Sequence, residues 1–570
     1  MSERWEDPKI FKINKEDGHV ISMPYDSPEK AALGEESEYK LLLNGEWKFY
    51  WQLGFDQGLP EGFYKDDFDC EGWGDITVPS LWQLKGYGVP VYYASTFPRA
   101  VCRRKNKIPT IDHACQEVGI YRRDFTLPQN FDGREIFLHF GACKSALEVY
   151  INGEFVGYSQ GSMTPHEFDV TRFLREGKNN VTAVVYRYSD ATYLEGQDMW
   201  NMSGIYRDVY LYAEPSVCIR DFFVKTRFNK DFNNAELTLD VYLKNYSDSS
   251  FSGILSAVLL NEDGVQIGDK GFILKEGKST GFTFKKLVES PRKWFAESPE
   301  LYKLCISLLK GGECICSKCI DIGFKQIDFY GEKIYANGKP LMIYGVNRHD
   351  FDPDNGWAVP KERYLEDILI MKRNNINAVR TSHYPDDPLF YELCDKYGLW
   401  VMDECDLESH GVRRKNVPGS DPKWTGAACD RMERMVLRDR NHPCVFMWSL
   451  GNEAGDGDNF LKMKEAALKL DDTRKFHYEG DFDFSKSDVI SRMYPTEEQM
   501  KKLGNKEEIT VSFIDNITNA LAADNKPIKK SDYVGKPVIL CEYAHAMENS
   551  LGNFQEYMND FEKYDNMCGG

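Results

Sequence analysis

The sequence predicts a multidomain protein in which two all-β domains precede a parallel (β/α)8 barrel. The chain has 570 residues, and because a single hydrophobic core rarely grows beyond about 300 residues, we expect several domains. Short alternating strands separated by turn residues fill the chain up to residue 326. From residue 327 onward, strand-like and helix-like segments alternate, which is typical of a parallel sheet covered by helices.

The first predicted domain, residues 1–214, has the pattern of a jelly roll. The runs LEVYI and EFVGYS flank Asn152-Gly153, a dipeptide that favours the positive φ angles of a two-residue hairpin turn. IFLHFG, NNVTAVVYRY and RDVYLYA add further short strands. The second, residues 215–326, contains AELTLDVYL, GILSAVLL, GFTFKKL and LYKLCISLL. Its length and spacing suit a seven-stranded immunoglobulin-like sandwich.

The third predicted domain, residues 327–570, begins with a hairpin across Asn337-Gly338. Apolar residues at Tyr364, Leu365 and Ile368 then recur at helical spacing. Seven segments have the composition of buried parallel strands: LMIYGVN, INAVRTS, LWVMDE, VFMWSLGN, FHYEG, DVISRMY and VILCEYA. No eighth strand follows, so the barrel is expected to be truncated, with its first and seventh strands left without a partner.

Composition argues against several other classes of protein. The net charge of −19 argues against a nucleic-acid partner, which calls for basic patches. Neither an apolar signal segment at the N-terminus nor a run of about 20 apolar residues is present, which predicts a cytoplasmic protein without a membrane partner. The cluster Cys314, Cys316 and Cys319 lacks a fourth ligand at zinc spacing, so reduced thiols are favoured over a metal site.

Two carboxylates stand at the ends of predicted barrel strands. Glu453 follows the fourth strand and Glu542 ends the seventh. Either glutamate alone would more often be a solvated residue or a salt-bridge partner. Together, across one barrel mouth, they could lie about 5–5.5 Å apart, the separation of the two carboxylates in a retaining glycosidase. One would then hold a proton and the other would be ionised.

Further polar side chains follow the same predicted strands, and four of the ten histidines are among them. These residues are Asn347, Arg348, His349, Arg380, Ser382, His383, Asp403, Glu404, Glu408, His410, Tyr494 and His545. Because the active sites of such barrels lie at the carboxyl ends of the strands, we expect these side chains to surround the same site.

Long motifs in the chain resemble glycoside hydrolase family 2, and most closely its large bacterial β-galactosidases. They are NGEWKF, VPSLWQ, YLEGQDMWNMSGIYRDV, ANGKPLMIYGVNRH, NNINAVRTSHYP, CDKYGLWVMDECDLESHG, RDRNHP, WSLGNE and CEYAHAM. The resemblance covers nearly the whole chain in the same order. It implies a jelly roll, an immunoglobulin-like sandwich and a (β/α)8 barrel. It also implies hydrolysis of terminal β-D-galactosides such as lactose with retention of configuration.

The resemblance also implies roles for particular residues. Glu542 resembles the nucleophile and Glu453 the general acid/base, while Asn452 resembles the residue that bonds the sugar 2-hydroxyl. Arg380 and Tyr494 resemble partners of the nucleophile. Sugar-hydroxyl contacts are implied for His349, His383 and His545.

Metal ligands are implied as well. Glu408, His410 and Glu453 match the magnesium ligands of the family, although a lone Glu-x-His is otherwise an ordinary surface pair. Asp198 resembles a residue that binds sodium and the sugar 6-hydroxyl from the first domain. Its position predicts a loop of that domain that reaches the barrel mouth.

Some features depart from the family or leave alternatives open. Ala94 stands where the family usually has an asparagine, and Glu548 where it has a glycine. In the family an eighth strand follows the Gly-Gly pair at Gly569, so we expect the N-terminal portion of a longer or split enzyme, in a homo-oligomer or with a complementing C-terminal chain. The alternatives are another family 2 activity, such as β-glucuronidase, and an inactive carbohydrate-binding fragment.

Overall fold

The computed structural model describes residues 3–93, 107–260, 264–481, 483–510, 527–546 and 551–570. Strands dominate up to residue 340, and strands and helices alternate after it. The predicted order of two all-β domains followed by a β/α barrel is confirmed. Among the described residues, no helix has both the length and the apolar character needed to cross a bilayer.

The N-terminal β unit, residues 12–214, is built on a seven-stranded and a four-stranded antiparallel sheet, ordered β1-β10-β9-β12-β6-β3-β4 and β11-β7-β15-β2. Its elements are β1 Lys12–Ile13, α1 Pro28–Leu33, β2 Lys40–Leu42, β3 Gly45–Leu53, β4 Gly74–Val78, β5 Val91–Tyr92, β6 Glu117–Thr126, β7 Glu135–Phe140, β8 Cys143–Lys144, β9 Ala146–Ile151, β10 Glu154–Gln160, β11 His166–Asp169, β12 Lys178–Tyr186, β13 Trp200–Asn201, β14 Gly204–Ile205 and β15 Val209–Glu214.

The predicted turn of this unit is confirmed. Asn152 and Gly153 join β9 to β10 with φ angles of 50° and 85°, the left-handed conformation that the Asn-Gly dipeptide favours. Both sheets bury one face in a shared core that includes Trp47, Leu138 and Leu147. The other face of the seven-stranded sheet is covered by a second apolar cluster, so strands such as β12 are buried on both sides.

The immunoglobulin-like unit, residues 217–322, contains a three-stranded sheet, β16-β17-β20, and a four-stranded sheet, β19-β18-β21-β22. These seven antiparallel strands match the predicted sandwich. Their bounds are β16 Val217–Phe228, β17 Ala235–Asn245, β18 Phe251–Leu260, β19 Val265–Leu274, β20 Ser279–Val288, β21 Tyr302–Lys310 and β22 Glu313–Ile322.

The prediction of reduced thiols in this unit is wrong for Cys319. Cys319 forms a disulfide with Cys305, a residue outside the Cys314–Cys319 cluster that the sequence singled out. The pairing arises because β21 and β22 are adjacent antiparallel strands in which Cys305 lies directly opposite Cys319. Cys314 and Cys316 are free.

The barrel unit begins with a small three-stranded sheet, and its hairpin at Asn337-Gly338 is confirmed by φ angles of 48° and 80°. Five parallel strands follow in the order β26-β27-β28-β29-β30. The strands are β23 Ile327–Tyr330, β24 Lys333–Ala336, β25 Lys339–Pro340, β26 Gly345–Arg348, β27 Ala378–Thr381, β28 Trp400–Glu404, β29 Val445–Ser449 and β30 Lys475–His477. The helices are α2 Lys361–Arg373, α3 Pro388–Tyr397, α4 Thr425–Asp439, α5 Asp458–Leu468, α6 Glu497–Asn505 and α7 Phe554–Lys563.

Among the described residues of the barrel, the predicted sixth and seventh strands pair with each other only through isolated parallel bridges. Ile490 pairs with Val538, and Met493 pairs with Glu542. The expectation that the first and seventh strands lack a partner is wrong along residues 567–570. Met567 bridges to Val538 on the seventh strand, and Gly569 bridges to Ile343 beside the first. These four residues therefore occupy the place between the two strands.

Gly569 provides a test of whether residues 567–570 close the gap between the first and seventh strands. Its φ is +105°, and a β-carbon there would meet the carbonyl oxygen of Ile343 at 1.8 Å. We expect Gly569→Ala to lower the free energy of unfolding by about 3 kcal/mol, because the backbone must shift away from Ile343. Gly552→Ala is the control, since a β-carbon there meets nothing within 4 Å. Equal midpoints for the two variants in differential scanning calorimetry would contradict the closure.

Candidate active site

A cavity of about 970 Å3 opens at the carboxyl ends of the barrel strands. It brings together every site residue that the sequence singled out by role. These residues are Asp198, His349, Arg380, His383, Glu408, His410, Asn452, Glu453, Tyr494, Glu542 and His545. The carboxyl ends of adjacent parallel strands meet at one edge, which is why residues so far apart in sequence converge here.

Glu453 lies just beyond β29 in an unusual backbone conformation. Its φ is +37°, a region that costs energy for a residue with a side chain. The Glu453 N–H donates to Glu479 Oε1 at 2.9 Å, which helps to hold the turn. The side chain is nearly buried. Burial is the largest cause that raises the pKa of Glu453 to about 8, and the nearby Glu479 carboxylate is the second. This carboxyl group therefore retains a proton at neutral pH.

Glu542 is surrounded by hydrogen-bond donors. Arg380 Nη1 lies 3.1 Å from Glu542 Oε1, and the Tyr494 hydroxyl donates to Glu542 Oε2. Tyr494 also donates its backbone N–H to the Glu542 carbonyl at 2.8 Å, and its own φ is +48°. The cavity therefore contains one carboxyl group that holds a proton, Glu453, and another, Glu542, that accepts hydrogen bonds from a guanidinium and a hydroxyl.

Arg380 connects the ends of three strands. Its Nε donates to Glu404 Oε2 at 2.7 Å, and its Nη2 donates to Asn452 Oδ1 at 2.9 Å. With the bond to Glu542, the buried guanidinium contacts residues at the ends of the third, fourth and seventh barrel strands. The bond to Asn452 also orients that side chain, whose Nδ2 donates to Glu408 Oε2 at 3.0 Å.

Glu404 anchors this arrangement from below and is fully buried. Besides Arg380, its carboxylate contacts His383 Nδ1 at 2.8 Å and accepts a bond from Ser449 Oγ at 2.7 Å. Burial, followed by the charge of Arg380, lowers the pKa of His383 to about 3. His383 is therefore neutral at ordinary pH, with one ring nitrogen held by Glu404.

Glu408, His410 and Glu453 form a group that could hold a metal ion, with donor atoms within 4.8 Å of one another. Glu408 Oε1, His410 Nδ1 and Glu453 Oε1 are buried and have no hydrogen-bond partner among the described residues. Burial, followed by the Glu453 carboxylate, raises the pKa of Glu408 well above its usual range. Two buried carboxyl groups beside an imidazole fit a cation that prefers oxygen ligands.

A loop from the N-terminal β unit completes the mouth of the cavity. Glu408 donates its N–H to the Leu194 carbonyl at 2.7 Å, and Gly196 donates its N–H to the Glu408 carbonyl at 2.7 Å. This pairing brings Asp198 to the cavity, as the sequence predicted. A hydrogen bond with Asp198, followed by burial, raises the pKa of Tyr92 to about 12.

Three residues near the site were given no role by the sequence. Glu404 is among the strand-end residues that the sequence places at the site, although without a role, and Glu479 lies near the end of the predicted strand FHYEG, where the same rule applies. Arg413, whose Nη1 lies 3.6 Å from Glu453 Oε1, follows no strand, and no sequence signal marked it. Ala94 and Glu548, the two departures from the family, lie outside the described residues.

This arrangement defines a class of protein. A pair of carboxyl groups in different environments at the mouth of a β/α barrel is typical of glycosidases. Three models of one family match successive parts of the chain: the glycosyl hydrolases family 2 sugar binding domain at residues 41–215, glycosyl hydrolases family 2 at 217–325, and the family 2 TIM barrel domain at 327–570. The chain therefore belongs to glycosyl hydrolase family 2.

Two relatives with more than 35% sequence identity to this chain are named β-galactosidases. A β-galactosidase of Priestia megaterium is 39% identical and one of Psychromonas ingrahamii is 37% identical, in each case over 99% of this chain. The matched region makes up 53% and 54% of those proteins. The chain thus spans about half the length of the curated relatives that it matches.

Similar solved structures include β-glucuronidases. A β-glucuronidase of Bacteroides uniformis matches with a TM-score of 0.73 and 21% identity, over 93% of this chain and 64% of that one. A β-glucuronidase of Bifidobacterium dentium matches with a TM-score of 0.71 and 19% identity, over 94% of this chain and 91% of that one. At such identities the likeness establishes the fold alone.

The Glu404 network makes a prediction about stability. We expect Glu404→Gln to lower the free energy of unfolding by about 3 kcal/mol, because the substitution leaves the buried Arg380 without this anion. Glu366→Gln is a control, since Glu366 forms an exposed ion pair with Arg363 and should cost less than about 0.5 kcal/mol. Urea unfolding followed by tryptophan fluorescence measures both. A loss no larger than that of the control would show that Glu404 does not anchor the site.

Proposed function

We propose that this chain carries the catalytic site of a retaining β-galactosidase that hydrolyses terminal β-D-galactosides such as lactose. The observation that carries the proposal is the opposed environment of two carboxyl groups in one cavity. Glu542 receives bonds from Arg380 and Tyr494, whereas Glu453 is buried beside a second carboxylate. The two relatives above, both named β-galactosidases, support the galactoside.

In the first step, Glu542 attacks the anomeric carbon and the bond to the leaving oxygen breaks. Glu453 transfers its proton to that oxygen, which leaves as an alcohol, and the galactosyl group remains esterified to Glu542. In the second step, Glu453 takes a proton from water, and the resulting hydroxide attacks the same carbon. Two inversions give retention, and Glu542 is released as a carboxylate.

The remaining cavity residues are proposed to bind the sugar. Asn452 is held by Arg380 and Glu408 beside the acid/base, which supports a bond to the 2-hydroxyl. His349, His383 and His545 line the cavity and are proposed to contact other hydroxyls. Asp198, presented by the loop of the first unit, is proposed to contact the 6-hydroxyl and a sodium ion.

We propose magnesium as the ion held by Glu408, His410 and Glu453. The two carboxylates and one imidazole leave room for the water ligands that magnesium usually keeps. A bound divalent cation would offset the repulsion between the two carboxyl groups and favour the ionised form of Glu453. From the sequence we also propose that the enzyme is cytoplasmic. We propose that it assembles as a homo-oligomer or with a complementing C-terminal chain.

A β-glucuronidase is the second candidate, because similar solved structures include such enzymes. A uronic acid carries a carboxylate that calls for a lysine or arginine at the sugar. Among the described residues that line the cavity, Arg380 is the only one of either type, and it is already bound to Glu404 and Glu542. This charge distribution favours a neutral sugar. The third candidate, an inactive carbohydrate-binding fragment, would bind galactosides without turnover.

Chemical rescue tests the roles of the two glutamates. With 2,4-dinitrophenyl β-galactoside and azide, we expect Glu542→Ala to form the α-galactosyl azide, because azide then occupies the place of the nucleophile in a single inversion. Glu453→Ala should form the β-galactosyl azide through the covalent intermediate. Without azide, each variant should lose at least about 1,000-fold in turnover. Nuclear magnetic resonance of the products identifies the anomer.

Glu497→Ala serves as the control for both variants. Glu497 is exposed, and within the described residues its side chain forms an ion pair with Lys501. Glu497→Ala should keep the activity of the unsubstituted chain. Two azides of the same configuration, or full turnover by Glu542→Ala, would refute the assignment. The experiment uses the 570-residue chain together with any C-terminal complement that its activity requires.

The raised pKa of Glu453 predicts a pH dependence for the metal-free protein. The acid must be protonated to assist the leaving group, and its protonated form is lost as pH rises through about 8. We therefore expect kcat/KM for methyl β-galactoside, measured in a chelator, to fall above about pH 8. A dinitrophenyl galactoside, whose leaving group needs no proton, should lack this alkaline limb. An identical limb for both substrates would exclude Glu453 as the acid.

A further inference from the structure

The guanidinium of Arg413 lies beside Glu453 Oε1, an atom of the candidate metal site. Arg413 Nη1 lies 3.6 Å from Glu453 Oε1, and His410 Nε2 lies 3.4 Å from that oxygen. The side chain of Arg413 is only 5% exposed. Arg413 is not among the residues that line the cavity. It therefore contacts the carboxylate from the protein interior.

We propose that Arg413 is a positioning residue that acts as a built-in cation on Glu453 and weakens divalent-ion binding by Glu408, His410 and Glu453. The proposal rests on the function proposed above for what Glu453 does, but its effect on ion binding needs no substrate. Arg413 supplies part of the positive charge that these carboxyl groups require. The metal site is then one of moderate affinity.

The backbone around Arg413 fixes this contact. Arg413 begins a short 3-10 turn, Arg413–Lys415, three residues after His410. A β-carbon on Gly455, two residues after Glu453, would meet the Arg413 carbonyl oxygen at 2.8 Å, and Gly455 has a φ of +72°. Only a glycine allows the two chain segments to approach so closely. The turn is thus packed against the loop that carries Glu453.

Charge explains why the guanidinium and the ion oppose each other. A magnesium ion bound to Glu453 Oε1 would lie about 2.1 Å from that oxygen, on which Arg413 also acts. Two cations on one carboxylate repel each other, and the repulsion is larger in a buried site than in water. Glu479, whose carboxylate accepts the N–H of Glu453, adds negative charge. Arg413 therefore offsets part of the combined charge of these three carboxyl groups.

Isothermal titration calorimetry of the 570-residue chain with magnesium chloride tests the proposal. At pH 9, where protons compete least with the ion for Glu453, we expect Arg413→Met to bind magnesium at least about tenfold more tightly than the unsubstituted chain, because one like charge has been removed. Arg413→Gln, a second neutral variant, should behave in the same way. Arg413→Lys, which keeps the charge, should stay within about threefold of the unsubstituted chain, a rescue that a purely structural role would not give.

Two further variants locate the effect. Arg414→Met removes the adjacent, exposed arginine and should leave the affinity unchanged. Glu408→Gln should abolish binding and so show that the titrated ion occupies this site. Equal or weaker binding by folded Arg413→Met or Arg413→Gln would overturn the proposal, as would the absence of magnesium binding in every variant. Failure of the azide experiment with tighter binding intact would instead refute the proposed function alone.

Discussion

The site depends on the buried guanidinium of Arg380. It reaches Glu404 on the third barrel strand, Asn452 beyond the fourth, and Glu542 on the seventh. A buried cation must be compensated, and its planar group fixes the direction of each bond. Glu404 in turn contacts His383 and Ser449. One charge therefore sets the relative positions of the residue proposed as nucleophile and the residues beside the proposed acid.

The N-terminal β unit is part of the site as well as a neighbour of the barrel. Its loop pairs through the backbone with Glu408 on both sides, so a proposed metal ligand is held by another domain. Glu195, which is buried, forms an ion pair with Arg431 of the barrel at 2.8 Å, and Gln197 donates to Asp406 at 2.9 Å. These buried contacts couple the position of Asp198 to the barrel, because breaking one of them would leave a charge or polar group without a partner.

The first five strands of the barrel differ from the sixth and seventh in their pairing and in the residues that they contribute to the site. The first five strands form a continuous parallel ladder, and the apolar core around them also includes Val489 of the sixth strand and Ile539 of the seventh. In the part of the barrel that the structure describes, the sixth and seventh strands pair only at isolated positions, and Tyr494 and Glu542 lie there. Glu453 and Tyr494 both have positive φ angles. Strained backbone of this kind persists where the surroundings hold it firmly, and it is frequent at functional sites.

The sequence by itself determined the order of the domains, the turns at Asn152-Gly153 and Asn337-Gly338, and the strands whose ends supply the site, because alternation and turn residues are local signals. It also marked eleven residues of the cavity through their motifs. Only the tertiary structure decided the pairing of Cys305 with Cys319, the place of residues 567–570 between two strands, and the contact of Arg413 with Glu453. Those three depend on which segments become neighbours in space, and no local pattern encodes that choice.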